Sequence, residues 1–151
     1  MTDVLLPLAL LYADGRREIR GATRLQKLAF LAQEEYGAED LHEFEPDKYG
    51  PFSPSLAGAV EALKQRGLLK EREKRVPGGN EMLIYSLTDK GVRVVKRLLH
   101  DRDEDVESTL ESAERVKAEW GDSSLDRLLQ HVYQSYPHYT SESRLDLAET
   151  V

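Results

Sequence analysis

Residues 68–87 hold two strand-forming runs, LLKEREKRV and EMLIYSL, on either side of Pro77-Gly78-Gly79-Asn80. Proline, two glycines and an asparagine supply the dihedrals of a tight reversal, so the pair reads as a β-hairpin. Everything around it reads as helix. Thr88 leaves the second run and caps TDKGVRVVKRLLH, in which Val92, Val95 and Leu99 face one way. Upstream, Ser53-Pro54 places a capping serine before a proline at the first helical position. The helix it opens buries Leu56, Val60 and Leu63 and stops at Gly67. A first helix over about 3–13 ends at Asp14-Gly15, and a loop covers 15–22. Thr23 then caps a second helix, with Gln26 as its capping-box partner. Leu25, Leu28, Ala29, Ala32 and Tyr36 share one face of this helix, and Gly37 closes it. The stretch 41–52, LHEFEPDKYGPF, predicts a short strand or an ordered loop.

The order helix, helix, helix, hairpin, helix over residues 1–100 is that of a winged-helix domain, a helix-turn-helix variant with a β-hairpin wing. The expected fold is mainly α, with a helical extension and an unassigned tail over 101–151. Its helices are expected at about 104–120 and 123–136, the second capped by Ser123 or Ser124 and ended by Pro137. Two junctions carry the fold assignment. Tyr85-Ser86-Leu87-Thr88-Asp89-Lys90-Gly91 resembles the Y-x-L-T-x-K-G junction of winged-helix regulators. Gly67-Leu68-Leu69 resembles their exit from the third helix. Thr23-Arg24-Leu25-Gln26-Lys27-Leu28-Ala29-Phe30-Leu31, followed by Tyr49-Gly50-Pro51-Phe52-Ser53, resembles proteins of the YwgA type. It is more distantly similar to the Panacea domain of SocA-like antitoxins. Tyr136-Pro137-His138-Tyr139-Thr140 fits a further element of the YwgA-like group. The resemblance implies the winged-helix fold and leaves the activity open.

The composition narrows the function classes. The chain has 151 residues and no cysteine, which removes disulfides and thiolate metal sites. No apolar run reaches the roughly 20 residues of a bilayer span, and the start lacks a basic n-region, so a cytoplasmic location is expected. His42, His100, His131 and His138 show no metal-ligand spacing, and no P-loop or nucleophile elbow is present. No enzyme activity and no cofactor are expected. Tyr49, Phe52, Tyr133, Tyr136 and Tyr139 are expected in core and interface. The net charge of −7 is unevenly spread. Residues 1–100 carry 16 Lys and Arg against 15 Asp and Glu, a net of +1; residues 101–151 carry 5 against 13, a net of −8.

Two basic groups in the first segment can meet nucleic acid. Lys70, Arg72 and Lys74 alternate onto one strand face, with Lys64 and Arg66 just before them. Arg16, Arg17, Arg20 and Arg24 lead into the second helix, with Lys27 beyond them placed to pair with Glu45 or Asp47. These residues predict phosphate contacts by a DNA-binding regulator. The same charges also suit an edge strand guarded against aggregation and a solvated loop. The third helix opens with Ser53, Pro54, Ser55, Ala57, Gly58 and Ala59, which offer little base readout. That favours the alternative, a protein–protein module of adaptor or antitoxin type. A continuous positive stripe would favour DNA; scattered charge would favour the adaptor. Val106, Leu110, Trp120, Leu129 and Tyr136 need an apolar surface to cover them; a second copy in an isologous homodimer is the expected cover, with the first helix and Val92–Leu99 of the same chain as the alternative.

Overall fold

The computed structural model describes residues 2–75, 77, 78 and 81–140. A 3-10 turn at Thr2–Val4 leads into α1 (Leu5–Arg16), β1 (Ile19–Arg20) and α2 (Ala22–Glu35). A small hairpin follows, β2 (Glu45–Asp47) and β3 (Gly50–Phe52), then α3 (Pro54–Gln65). Next come β4 (Leu69–Arg75), β5 (Glu81–Leu87) and α4 (Asp89–His100). The chain continues through α5 (Glu104–Trp120), α6 (Leu125–Ser135) and a 3-10 turn at Pro137–Tyr139. The described residues are mainly helical, with a small antiparallel sheet. Of the expected hairpin turn, Gly79 and Asn80 lie outside the described residues, as does the tail beyond Thr140.

β4 and β5 pair in one antiparallel ladder from Leu69↔Leu87 to Arg75↔Glu81. β1 adds to the other side of β5 through Ile19↔Tyr85 and Arg20↔Ile84, giving the order β1-β5-β4. The loop expected over 15–22 therefore contains a strand too short to register as alternation. The 41–52 stretch forms a hairpin with Pro46 opposite Pro51, separate from the main sheet.

Three helix caps follow the sequence. Ser53 Oγ accepts the Leu56 N–H at 3.1 Å, Thr88 Oγ1 the Gly91 N–H at 3.0 Å, and Ser124 Oγ the Arg127 N–H at 3.1 Å. The expected Thr23 cap does not form. Gly21, at φ 96°, turns the chain out of β1 straight into the helix, so α2 starts at Ala22 and Thr23 already lies in its first turn. Gln26 is consequently free for another task. Its side chain donates to the Ser53 carbonyl at 3.1 Å and accepts the Ser53 N–H at 2.8 Å, pinning the start of α3 to α2.

The two junctions read from the sequence clasp each other. Thr88 N–H donates to the Leu68 carbonyl at 3.1 Å, Thr88 Oγ1 to the Gly67 carbonyl at 2.6 Å, and Lys90 Nζ to the Arg66 carbonyl at 3.0 Å. The start of α4 thus satisfies the orphan carbonyls at the exit of α3.

α1 is apolar all round, as a helix buried on every side must be. Leu6, Leu8, Leu10 and Leu11 are fully buried. α5 packs along it, and Lys117 Nζ donates to the carbonyls of Leu10, Ala13 and Arg17 at 2.9, 2.8 and 2.7 Å. An ammonium from α5 therefore caps the C-terminal end of α1, where the helix dipole favours positive charge. Ala113, Val116, Trp120, Leu128, Val132 and Tyr133 belong to the same core cluster as α1 and α2. One continuous core thus joins the first hundred residues to the C-terminal helices. Phe30 of α2 meets Phe44, Tyr136 and Tyr139 edge-on, with centroids 5.2, 4.9 and 5.0 Å away.

Candidate binding surface

Residues opposite each other in an antiparallel ladder share a face. Arg20, Ile84 and Arg72 form such a row, and Lys70 and Lys74 flank Arg72 on the same side of β4. The predicted basic strand face therefore exists, and β1 extends it with Arg20. Glu18 breaks it. Its carboxylate takes Arg72 Nη2 at 3.0 Å and stands 3.8 Å from Arg20 Nη2. On the opposite face Lys64 pairs with Glu71 at 3.1 Å. Among the described residues Lys70 and Lys74 make no ion pair, and both are exposed.

The second basic group turns inward. Arg17 pairs with Asp122, between α5 and α6, and lies 3.4 Å from Asp14. Arg24 donates from Nη1 to the Ser123 carbonyl at 2.7 Å. Half-buried, with Arg20 nearby, its guanidinium is pushed below its usual pKa first by desolvation and then by that like charge. Arg16 and Arg66 are exposed, Arg66 at the C-cap of α3. Of the nine cations expected at nucleic acid, Arg20, Lys70, Arg72 and Lys74 share a partly neutralised strand face, Arg17 and Arg24 clasp the α5–α6 turn, Lys64 pairs on the opposite face, and Arg16 and Arg66 join none of these groups.

α3 presents Pro54, Ala57, Gly58, Glu61, Lys64 and Gln65 to solvent. Ser55 is taken up locally, with Oγ 2.8 Å from His42 Nδ1 and 3.1 Å from Ser53 Oγ. No side chain of the first two turns is left to read a base edge.

Between α2, the β2–β3 hairpin, α3 and the sheet lies a half-open cleft of about 270 Å³. Leu25, Phe52, Val60 and the ring of Tyr85 give it apolar walls; Tyr49, 45% exposed, stands at the mouth. Asp47, Glu61 and Glu71 also line it. Lys27 lies in the wall, 2% exposed, and donates to the Pro51 carbonyl at 3.0 Å instead of pairing with Glu45 or Asp47. Burial lowers its pKa to about 8, against an opposing pull from Asp47. Tyr85 is buried and its hydroxyl makes no hydrogen bond among the described residues; burial and then Glu71 push its phenol upward. Gly50, at φ 91°, sets the hairpin against Tyr133 of α6: a Cβ there would come within 3.0 Å of the ring. One hint of this cleft was legible in the sequence, the polar pair Gln26-Lys27 beside the apolar face of α2.

Apart from the exposed Leu125, the large apolar residues of the C-terminal helices are covered by their own chain. Val106, Trp120 and Leu129 are buried, and Leu110 and Tyr136 pack at the edge of the core cluster. His131 Nε2 lies 2.9 Å from Glu35 and its ring stacks on Trp120 at 4.6 Å. Tyr133 is buried, while Tyr136 donates its hydroxyl to Glu35 at 2.8 Å. Among the described residues no three His, Asp or Glu side chains gather as a metal site, and no helix is long and apolar enough to cross a membrane. No family model matches the chain, and no curated protein matches it.

Proposed function

We propose that this chain is a winged-helix module that binds another protein. The fold reading is supported by the order of helix, short strand, helix, helix and hairpin, with the short strand pairing to the second hairpin strand. It agrees with the resemblance to YwgA-type proteins.

The observation that carries the functional reading is Glu18. A duplex lying across the sheet would meet a carboxylate set between Arg20 and Arg72, where a phosphate needs uninterrupted positive charge. The third helix adds Glu61 at the centre of its exposed face. Lys70 and Lys74 favour the competing reading, a DNA-binding regulator that uses the wing. The intrachain cover of Val106, Trp120 and Leu129 favours a monomer over a homodimer.

Titration of a labelled 20-base-pair duplex between about 50 and 200 mM salt separates the two readings. The protein-binding reading expects no saturable binding at micromolar chain, together with a nuclease-resistant protein partner on purification from source cells. Tight binding with a steep salt slope that K70A/R72A/K74A abolishes would establish DNA as the target instead.

A further inference from the structure

We infer that the cleft between α2, α3 and the β2–β3 hairpin receives an apolar side chain of a partner peptide flanked by basic residues. This inference rests on the protein-binding reading and names the partner's chemistry.

A cleft of about 270 Å³ that combines apolar walls with a charged rim has the build of a side-chain pocket. Leu25, Phe52 and Val60 supply the walls, and Tyr49 stands exposed at the mouth, where aromatic residues serve contact surfaces. The polar groups inside are donors with spare capacity. Lys27 Nζ has three N–H bonds and uses one of them, on Pro51, among the described residues. The Tyr85 hydroxyl has no partner among those residues. The carbonyls of an extended peptide supply acceptors for such donors without adding charge.

The charge at the cleft selects the flanking residues. Asp47, Glu61 and Glu71 line it, against the buried Lys27 within and Lys64 on the outer side of Glu71. Glu61 is exposed, accepts a neutral hydrogen bond from Gln65 at 2.9 Å and, among the described residues, makes no ion pair. An anionic ligand would meet this rim unfavourably, whereas lysine or arginine on either side of the anchor would match it. The net charge of −7 acts in the same direction at longer range.

The test is fluorescence anisotropy on the full chain with the labelled heptapeptide Gly-Lys-Ala-Phe-Ala-Lys-Gly. Saturable binding is expected below about 1 mM, weakened about tenfold or more when serine replaces the phenylalanine. Glutamates in place of the lysines should weaken it similarly. Two variants at exposed positions of α3 are expected to keep the fold, checked by an unchanged circular dichroism spectrum. A57W fills the cleft and should abolish binding. E61K should weaken the lysine peptide and strengthen the glutamate peptide. No saturable binding, equal binding of the serine peptide, or equal binding by A57W would overturn the inference. The duplex titration reports separately on the parent reading. DNA binding defeats that reading, whereas absence of both DNA and peptide binding defeats the cleft alone.

Discussion

The Cα of Gly91 in α4 lies against the carbonyl oxygen of Leu68, so close that a Cβ at position 91 would overlap it. Hydrogen alone fits there, which explains the glycine of the Thr88-Asp89-Lys90-Gly91 junction. Helix α4 approaches the chain leaving α3 near enough for Thr88 and Lys90 to bond the carbonyls of Gly67 and Arg66.

G91A is therefore expected to destabilise the fold by about 3 kcal/mol or more, because backbone must move to admit the methyl group. Gly58, in the exposed middle of α3, has nothing within 4 Å of a Cβ. G58A should stabilise by roughly 0.5–1 kcal/mol through helix propensity alone. Urea unfolding of both variants checks the pair. Equal effects would contradict the steric account.

The caps differ in what they hold. S53A removes the bond to the Leu56 N–H and the contact with the Ser55 hydroxyl, which keeps His42 as a partner, and should cost about 1 kcal/mol. T88A removes the equivalent bond and also the one to the Gly67 carbonyl, so its cost should reach about 2 kcal/mol. The difference in unfolding free energy between the two variants is the readout.

Two buried lysines give stability a pH dependence of fixed sign. Burial lowers Lys27 and Lys117 to about 8, below their value in an unfolded chain. Between about pH 8 and about pH 10.5 the unfolded state then holds more protons, so unfolding free energy rises with pH. Tyr136 acts oppositely above about pH 10, since burial and then its bond to Glu35 raise its pKa and keep its proton in the folded chain. Stability should climb from pH 8 and turn over near pH 10. Each lysine contributes up to about 3 kcal/mol. K27M should keep only part of the rise, measured by urea unfolding at pH 7.5, 8.5 and 9.5. A variant slope as steep as the parent's would contradict the assignment.

A chain whose apolar helices are covered internally should sediment as a single species. A mass near 17.2 kDa at every micromolar concentration is expected. A concentration-dependent rise toward twice that value would show that a second copy adds its own cover.

The helices were legible in the sequence because capping and periodicity are local. Ser53, Thr88 and Ser124 cap as their neighbours dictate. β1 was not legible, since two residues cannot display alternation and its pairing with β5 spans more than sixty positions. Thr23 misled because it has the residue type of a cap, while the dihedral of Gly21 moved the helix start. The basic residues were visible, but their neutralisation was not. Glu18 reaches Arg72 across the sheet, and Asp122 reaches Arg17 from another helix pair. The cleft, too, required the fold, as its walls come from four separate segments.

Lys117 closes the end of the first helix from the far side of the chain, and this sets an order of events during synthesis. The leucines of Leu5–Leu11 leave the ribosome early, yet the helix that covers them and the ammonium that caps them follow about a hundred residues later. Until then a helix apolar on every side has no adequate shelter, the situation in which nascent chains aggregate or engage chaperones. A chain ended after residue 100 would keep that exposure permanently, so the first hundred residues are expected to reach their folded state only together with the helices that follow them.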